Sequence, residues 1–342
     1  MSVFRKNVIT NDWVIFAPNR AKRPRDLKAD EHDNVSILAA RPAHKPDCPF
    51  CPGNEKPEDR ELLRLDGENG WRVRILENLF SSVDRTVLPT KRTSHLRNEI
   101  EGFGIHDVVI DNPKHNMILA LMSTIEITYL LTAYRMRYQQ IQRNNLVRHI
   151  VVFKNQGIRA GGSLEHSHSQ LYGLPVIPFE ANIRLREGER YHDLNGSCLM
   201  CDILKKEDDE QVRVVFENAM FICLMPYADL SPYHFWIVPK SHSPSFALIT
   251  DGEIAAMAEC MKVVFAKMFN LLRNPDFNYV IQSLAHHERE NEYFHWYLSV
   301  IPQVKHKGGL EYAGGLFVNT VLPEVAAAEM RDASADIVLP EL

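Results

Sequence analysis

The chain has 342 residues, 45% of them hydrophobic, and a formal net charge of -5. That length and apolar content support a large core, in one large domain or two. No global basic field exists to hold nucleic acid or an anionic membrane surface, so neither is expected as a partner.

Residues 1–11 lack the apolar stretch and cleavage site of a secretory leader. A cytoplasmic setting is therefore expected, where thiols stay reduced. Cys48-Pro-Phe-Cys51 and Cys198-Leu-Met-Cys201 form two C-x-x-C pairs, while Cys223 and Cys260 sit in apolar runs. In a reducing compartment such pairs signal metal or redox chemistry rather than structural disulfides. The longest apolar helical stretch, 117–141, is interrupted by Glu126, Arg135 and Arg137, which argues against a membrane span.

The chain carries a hidden repeat. Cys48/Cys51, Pro113-Lys114-His115 and His166-x-His168 recur as Cys198/Cys201, Pro239-Lys240-Ser241-His242 and His295-Trp296-Tyr297. His115 and His166 are 51 residues apart, and His242 and His295 are 53 apart. The expected elements repeat as well. A strand at 106–110 precedes a helix over 117–142, with Ile118, Leu121, Met122, Ile125 and Tyr129 at helical steps. Two strands follow, at 148–154 and 170–177, separated by a turn at 157–163. In the second half a strand at 235–238 precedes a helix over 251–272, with Asp251 as N-cap and Ile254, Met257, Met261 and Val264 on one face. Strands at 278–284 and 295–301 close it. The pattern predicts an α+β fold of two halves, each an antiparallel sheet with one long helix. The boundary falls in the polar, turn-rich segment 179–197, giving halves of 1–180 and 181–342.

Cys48, Cys51, His115 and His166 make a Cys2His2 set suited to tetrahedral zinc. Cys198, Cys201, His242 and His295 make a second, for which His234, His286 and His287 compete. Four protein ligands leave no open position, so the role expected is structural. The alternatives are small buried hydrophobes or a redox-active dithiol.

His168 is the candidate nucleophile. Placed on a strand-like segment, His166 and His168 are expected on opposite faces, one at the metal and the other at a cleft. Gln170 is expected beside His168. Its amide donates to a phosphoryl oxygen but is no acid near neutral pH. A sugar phosphate leaves as a stable anion and needs little protonation, so glutamine suits transfer between phosphates. An imidazole attacking phosphorus splits one displacement into two. Upstream, Asn155-Gln156-Gly157 and Gly161-Gly162-Ser163 let backbone N–H groups approach phosphate oxygens; the plainer reading is an ordinary glycine turn.

Gly162-Ser163-Leu164-Glu165-His166-Ser167-His168-Ser169-Gln170 resembles the active-site signature of the galactose-1-phosphate uridylyltransferase family, within the histidine-triad superfamily. The resemblance extends from about Trp13 to Ala328. Asn19-Arg20-Ala21-Lys22-Arg23-Pro24 is similar to the family's basic motif, whose arginines approach a substrate phosphate, sometimes from the neighbouring subunit. Without the resemblance it reads as a solvated basic turn. Asn78-Leu79-Phe80 matches residues around the base and ribose; otherwise Phe80 reads as core. Asn155 and Ser163 match phosphate-contacting positions. The resemblance implies tandem histidine-triad halves, each a half-barrel, and a homodimer with composite sites. It also implies a ping-pong exchange between a nucleotide sugar and a sugar 1-phosphate. Tyr297 stands where a second nucleophile would be, so the second half is expected to be catalytically silent while completing the substrate site.

Three features depart from the usual family form. Serine follows each histidine of the signature, where the family has proline and then glycine or cysteine. The family's C-terminal Lys-Phe-x-Val-Gly-Phe-Glu segment is not present as such across 307–319. The second half has its own C-x-x-C. Together these are similar to the plant-type branch that phosphorolyses ADP-glucose, which makes an ADP-glucose phosphorylase using phosphate as acceptor the alternative activity. A zinc-stabilised nucleotide-binding protein without turnover is a further alternative.

Overall fold

The computed structural model describes residues 1–22, 34–285, 292–304 and 308–340. Ten strands form the main sheet: β1 (Glu61–Gly67), β2 (Gly70–Glu77), β3 (Ile105–Ile110), β4 (His149–Gln156), β5 (His168–Leu174), β6 (Val214–Glu217), β7 (Phe221–Leu224), β8 (Phe235–Pro239), β9 (Phe277–Gln282) and β10 (Tyr297–Pro302). Their order is β6-β7-β8-β10-β9-β4-β5-β3-β2-β1. The sequence repeat is thus a repeat of strands about the central pair. β4 and β9 join antiparallel, Gln156 opposite Phe277 and Val152 opposite Ile281, so the two halves share one sheet.

The long helices are α1 (Thr124–Gln142) and α4 (Asp251–Leu272), which pack together on one face of the sheet. Between β5 and β6 the chain forms α2 (Phe179–Asn195) and α3 (Leu199–Glu210); α5 (Pro323–Asp332) packs against α4. One continuous core holds Val73, Ile75, Val109 and Leu171 from the first half of the sheet and Phe235, Trp296 and Leu298 from the second, under Leu130, Tyr134, Val264 and Phe265 of the helices. Strand residues alternate between faces. Leu76 and Ile110 therefore lie on the other side of the sheet, where they cluster with Trp71 and Phe50. A smaller sheet joins Val3–Lys6, Trp13–Phe16 and Phe317–Asn319, the last running parallel to its neighbour.

Three local expectations need correction. The first helix starts at Thr124, not at 117. Ser123 Oγ accepts from the Glu126 N–H, and the Glu126 carboxylate accepts from the Ser123 N–H, a reciprocal cap that sets the start. The preceding Leu119–Leu121 is a 3-10 turn, and Ile125 is exposed rather than on the buried face, which is Ile127, Leu130, Leu131, Tyr134, Tyr138 and Ile141. In the second half the N-cap is Thr250, not Asp251, because Thr250 pairs with Glu253 in the same kind of box. The polar segment after residue 178 is mostly helix, since α2 runs to Asn195 before Gly196 ends it with φ +70°. No helix among the described residues is long and apolar enough to cross a membrane.

Candidate active site

The first cluster gathers at the start of β5. The ligand atoms of Cys48, Cys51, His115 and His166 all lie within 4.8 Å of one another, and all four residues are buried. Cys48 Sγ and Cys51 Sγ are each 3.6 Å from His166 Nδ1, and Cys51 Sγ is 3.5 Å from His115 Nδ1. Tetrahedral zinc, with bonds of roughly 2.3 Å to sulfur and 2.0–2.1 Å to nitrogen, would put sulfur and nitrogen about 3.6 Å apart. The outward nitrogens are committed elsewhere. His166 Nε2 donates to the Asn112 carbonyl at 2.7 Å, and His115 Nε2 faces Glu165 Oε2 at 3.4 Å. Each ring therefore turns its Nδ1 to the sulfurs while its Nε2 is held from outside, the arrangement of metal-binding histidines.

The second cluster repeats this geometry. Cys201 Sγ is 3.3 Å from His242 Nδ1 and 3.5 Å from His295 Nδ1, and His295 Nε2 donates to the Pro239 carbonyl at 3.0 Å. Cys198 completes the set. His234, a rival ligand in the sequence, is instead 2.8 Å from Ser299 Oγ. His286 and His287 lie outside the described residues. Both clusters can hold a metal ion.

His168 opens β5 on the face away from the helices. Its Nδ1 donates to the His166 carbonyl at 2.8 Å, which leaves Nε2 as the lone-pair nitrogen. The Phe50 ring sits 5.6 Å from its ring centre. Burial, and after it the Lys154 ammonium, holds the His168 imidazole below the usual histidine range, in its neutral form. Strand alternation does not lead to the expected opposite faces for His166 and His168, because residues two apart in a regular strand share a face. His166 lies in the bend before β5, not in the strand, with its Nδ1 towards Cys48 and Cys51.

Gln170 does lie at the strand's two-residue step from His168, half-buried. Its Oε1 is 2.8 Å from His106 Nε2. His106 also meets Asn78 Nδ2 at 2.9 Å and stacks on Tyr172 with ring centres 3.9 Å apart. Asn78 and Gln170 are thus brought to one histidine. Sequence reasoning passed over His106, although a signal existed. His106 precedes His115 by nine residues and His234 precedes His242 by eight. The two are counterparts, since His106 meets Gln170 and His234 meets Ser299, each two residues after the position of His168 or Tyr297.

Phe80 is 92% exposed, so it is not a core residue. Its N–H donates to Asn78 Oδ1 at 2.9 Å. Beside Asn78 a cleft of about 640 Å³ is lined by Leu79, Ser82, Asp84 and Arg85; His168 does not line it. Asn155 Oδ1 accepts from Asn278 Nδ2 at 2.8 Å, which ties it to the second half. Gly157 has φ +85°, and Asp276 comes so close that a Cβ would lie 2.0 Å from its Oδ1. Ser163 and Arg20 are exposed. Arg23 lies outside the described residues.

A family model described as galactose-1-phosphate uridyl transferase, N-terminal domain, matches residues 1–178. The chain belongs to this family. Among curated relatives, ADP-glucose phosphorylase of Arabidopsis thaliana is 37% identical, over 96% of this chain and 92% of that one. Galactose-1-phosphate uridylyltransferase of Thermotoga maritima is 27% identical, over 98% and 100%. The crystal structure of an Arabidopsis thaliana ADP-glucose phosphorylase with bound ADP-glucose superposes with a TM-score of 0.84 at 34% identity, covering 98% of this chain and all of that one. The family fold is therefore present along the described chain, tandem halves included.

Proposed function

We propose that the protein is a nucleotidyltransferase acting between nucleotide sugars and sugar 1-phosphates through a covalent nucleotidyl–His168. His168 Nε2 attacks the α-phosphorus, a P–N bond forms, and the P–O bond to the departing hexose 1-phosphate breaks. A phosphate oxygen of the incoming sugar 1-phosphate then attacks that phosphorus, and the P–N bond breaks. The observation that carries this reading is the bond from His168 Nδ1 to the His166 carbonyl, which leaves Nε2 unprotonated for attack in a neutral ring. Gln170 would donate its amide N–H to a phosphoryl oxygen. The backbone from Asn155 through Gly157 to Ser163 would receive the phosphates, with Arg20 and Arg23 as cations. Asn78 and Phe80 would flank the nucleoside.

Residues 1–180 are assigned as the catalytic half and 181–342 as a silent half that completes the substrate site. In the silent half Tyr297 takes the place of His168, and its hydroxyl accepts from Arg184. A homodimer with composite sites follows the family resemblance, and the six free thiols are compatible with a reducing cytoplasm. Zinc is the metal proposed for both clusters. Bound there, it would supply structural cross-linking, holding the 48–51 turn and the start of α3 to the sheet.

The second reading, phosphate rather than a sugar phosphate as acceptor, is favoured by the 37% identity to an ADP-glucose phosphorylase. One experiment separates the two. The protein is incubated with UDP-glucose or ADP-glucose, its intact mass is measured, and galactose 1-phosphate or inorganic phosphate is then offered. The expected result is a UMP or AMP adduct that is absent in His168→Asn and discharged by the acceptor. Absence of an adduct and of exchange with either donor rejects both readings; tight nucleotide binding would then indicate a binding protein.

A further inference from the structure

A buried polar cluster stands behind His168, and the function above leaves it unassigned. Lys154 is 1% exposed and directs its three ammonium protons to three acceptors. These are Asp111 Oδ2 at 2.6 Å, Ser167 Oγ at 2.9 Å and the His168 carbonyl at 2.9 Å. Ser167 Oγ in turn donates to Asp111 Oδ2 at 3.0 Å. On the other side of the carboxylate, Ser169 Oγ donates to Asp111 Oδ1. Ser169 accepts from Tyr134 of α1, whose hydroxyl can accept from Tyr279 of β9. In this arrangement every hydroxyl proton runs towards one carboxylate, while one Lys154 proton goes to the His168 carbonyl.

Ser167 and Ser169 are the two positions at which the signature departs from the usual family form. They flank His168 in sequence and bond on the helix side of the sheet, opposite the nucleophile. A buried ion pair is a poor device for stability alone, because apolar replacements of similar volume often leave stability unchanged or raise it. It can, however, specify one arrangement of what it touches. Here it touches the carbonyl of the nucleophile and the side chains on either side. The His168 ring is itself aimed by the His166 carbonyl, so displacement of this backbone moves Nε2.

We infer that Asp111, Lys154, Ser167 and Ser169 form a positioning clamp for His168, closed from the second half by Tyr279. This rests on the proposed role of His168. The silent half then contributes to the chemistry from behind the sheet, independently of any residue it offers to substrate.

The test compares wild-type protein with Ser167→Ala/Ser169→Ala and with Tyr279→Phe. The serine variant is expected to form the nucleotidyl adduct about 10- to 100-fold more slowly, as for a small misplacement of a reacting atom. Its donor KM stays within about twofold, and its metal content is unchanged. Tyr279→Phe should show the same split with a smaller loss. A Lys154→Met/Asp111→Leu pair, which leaves no buried charge unpaired, should reproduce the kcat loss while folded. Unchanged adduct rates in the folded variants overturn the clamp, and so does a raised KM at constant kcat. NMR of ¹⁵N-histidine protein reads the clamp without turnover. The Nδ1–H signal of His168, bonded in the wild type, should shift or broaden in the serine variant. If the wild type forms no adduct but this shift occurs, the clamp stands and the nucleophile assignment falls. If the signal does not move, the clamp falls.

Discussion

His168 acquires its chemistry from what its two ring nitrogens meet. A histidine whose Nδ1–H is spent on a backbone carbonyl has a lone pair at Nε2 and no freedom to exchange tautomers at that bond. His168→Ala is expected to abolish adduct formation without lowering the melting temperature by more than a few degrees. Unfolding of this variant would reverse the assignment of the two histidines. Gly157 is constrained more severely. Its backbone is left-handed, and Asp276 occupies the space a side chain would need while accepting from the Arg159 N–H at 2.7 Å. Gly157→Ala should cost about 1–3 kcal/mol in urea unfolding. A change within a few tenths of that scale would show that the loop relaxes freely. At this scale the motif residues were legible in the sequence because their types are chemically specialised. Lys154 and Asp111 were not, since a lysine in a strand pattern looks like a solvated residue until both its neighbours and its burial are known.

Among the elements, the two long helices are matched even at their starts. Ser123 with Glu126 and Thr250 with Glu253 are the same reciprocal cap, one per half. Ser123→Ala should destabilise the protein by about 1 kcal/mol, seen as a lower urea midpoint at constant slope. An unchanged midpoint would mean that packing of α1 alone sets the start. The two Cys2His2 clusters belong to this scale too, since one gathers the 48–51 turn and the other the start of α3, each with two histidines distant in the chain. On the zinc assignment proposed above, Cys48→Ser is expected to remove one equivalent of zinc and lower the melting temperature, because structural metal adds its binding free energy to folding. Elemental analysis with thermal unfolding checks it; full metal content in the variant would refute the ligand set. The caps themselves were present as sequence patterns, yet apolar periodicity drew the first helix seven residues too early. Ile118, Leu119 and Met122 are buried, but from a 3-10 turn against the core rather than from α1.

Over the whole molecule, burial keeps two histidines neutral, one in each half. His234 has its pKa lowered to about 3 and His149 to about 4, in both cases mainly by desolvation and then by the Arg184 charge. Both folded values lie below the ordinary histidine value of 6.5. The unfolded chain therefore binds protons that the folded chain refuses. Stability from these groups is full above about pH 6.5 and declines as pH falls through 6.5 towards 4, by about 1.4 kcal/mol per pH unit for each site. His234→Gln should flatten the decline of melting temperature between pH 7 and 5, with zinc content followed in parallel. An identical slope in both proteins would exclude His234 from the acid response.

The repeat, the two Cys2His2 sets and the α+β class could be read from the linear chain, because each rests on residue types at spacings that few other chemistries require. The resemblance of the signature to its family was equally local. Folding decided what spacing cannot encode. It joined the halves through β4 and β9 into one sheet, turned His166 out of the strand that carries His168, and gathered His106, Asn78 and Gln170. It also carried Tyr279 across the junction to the cluster behind His168. Contacts between residues more than a hundred positions apart depend on strand order and register, and those are settled only when the whole apolar face is buried at once.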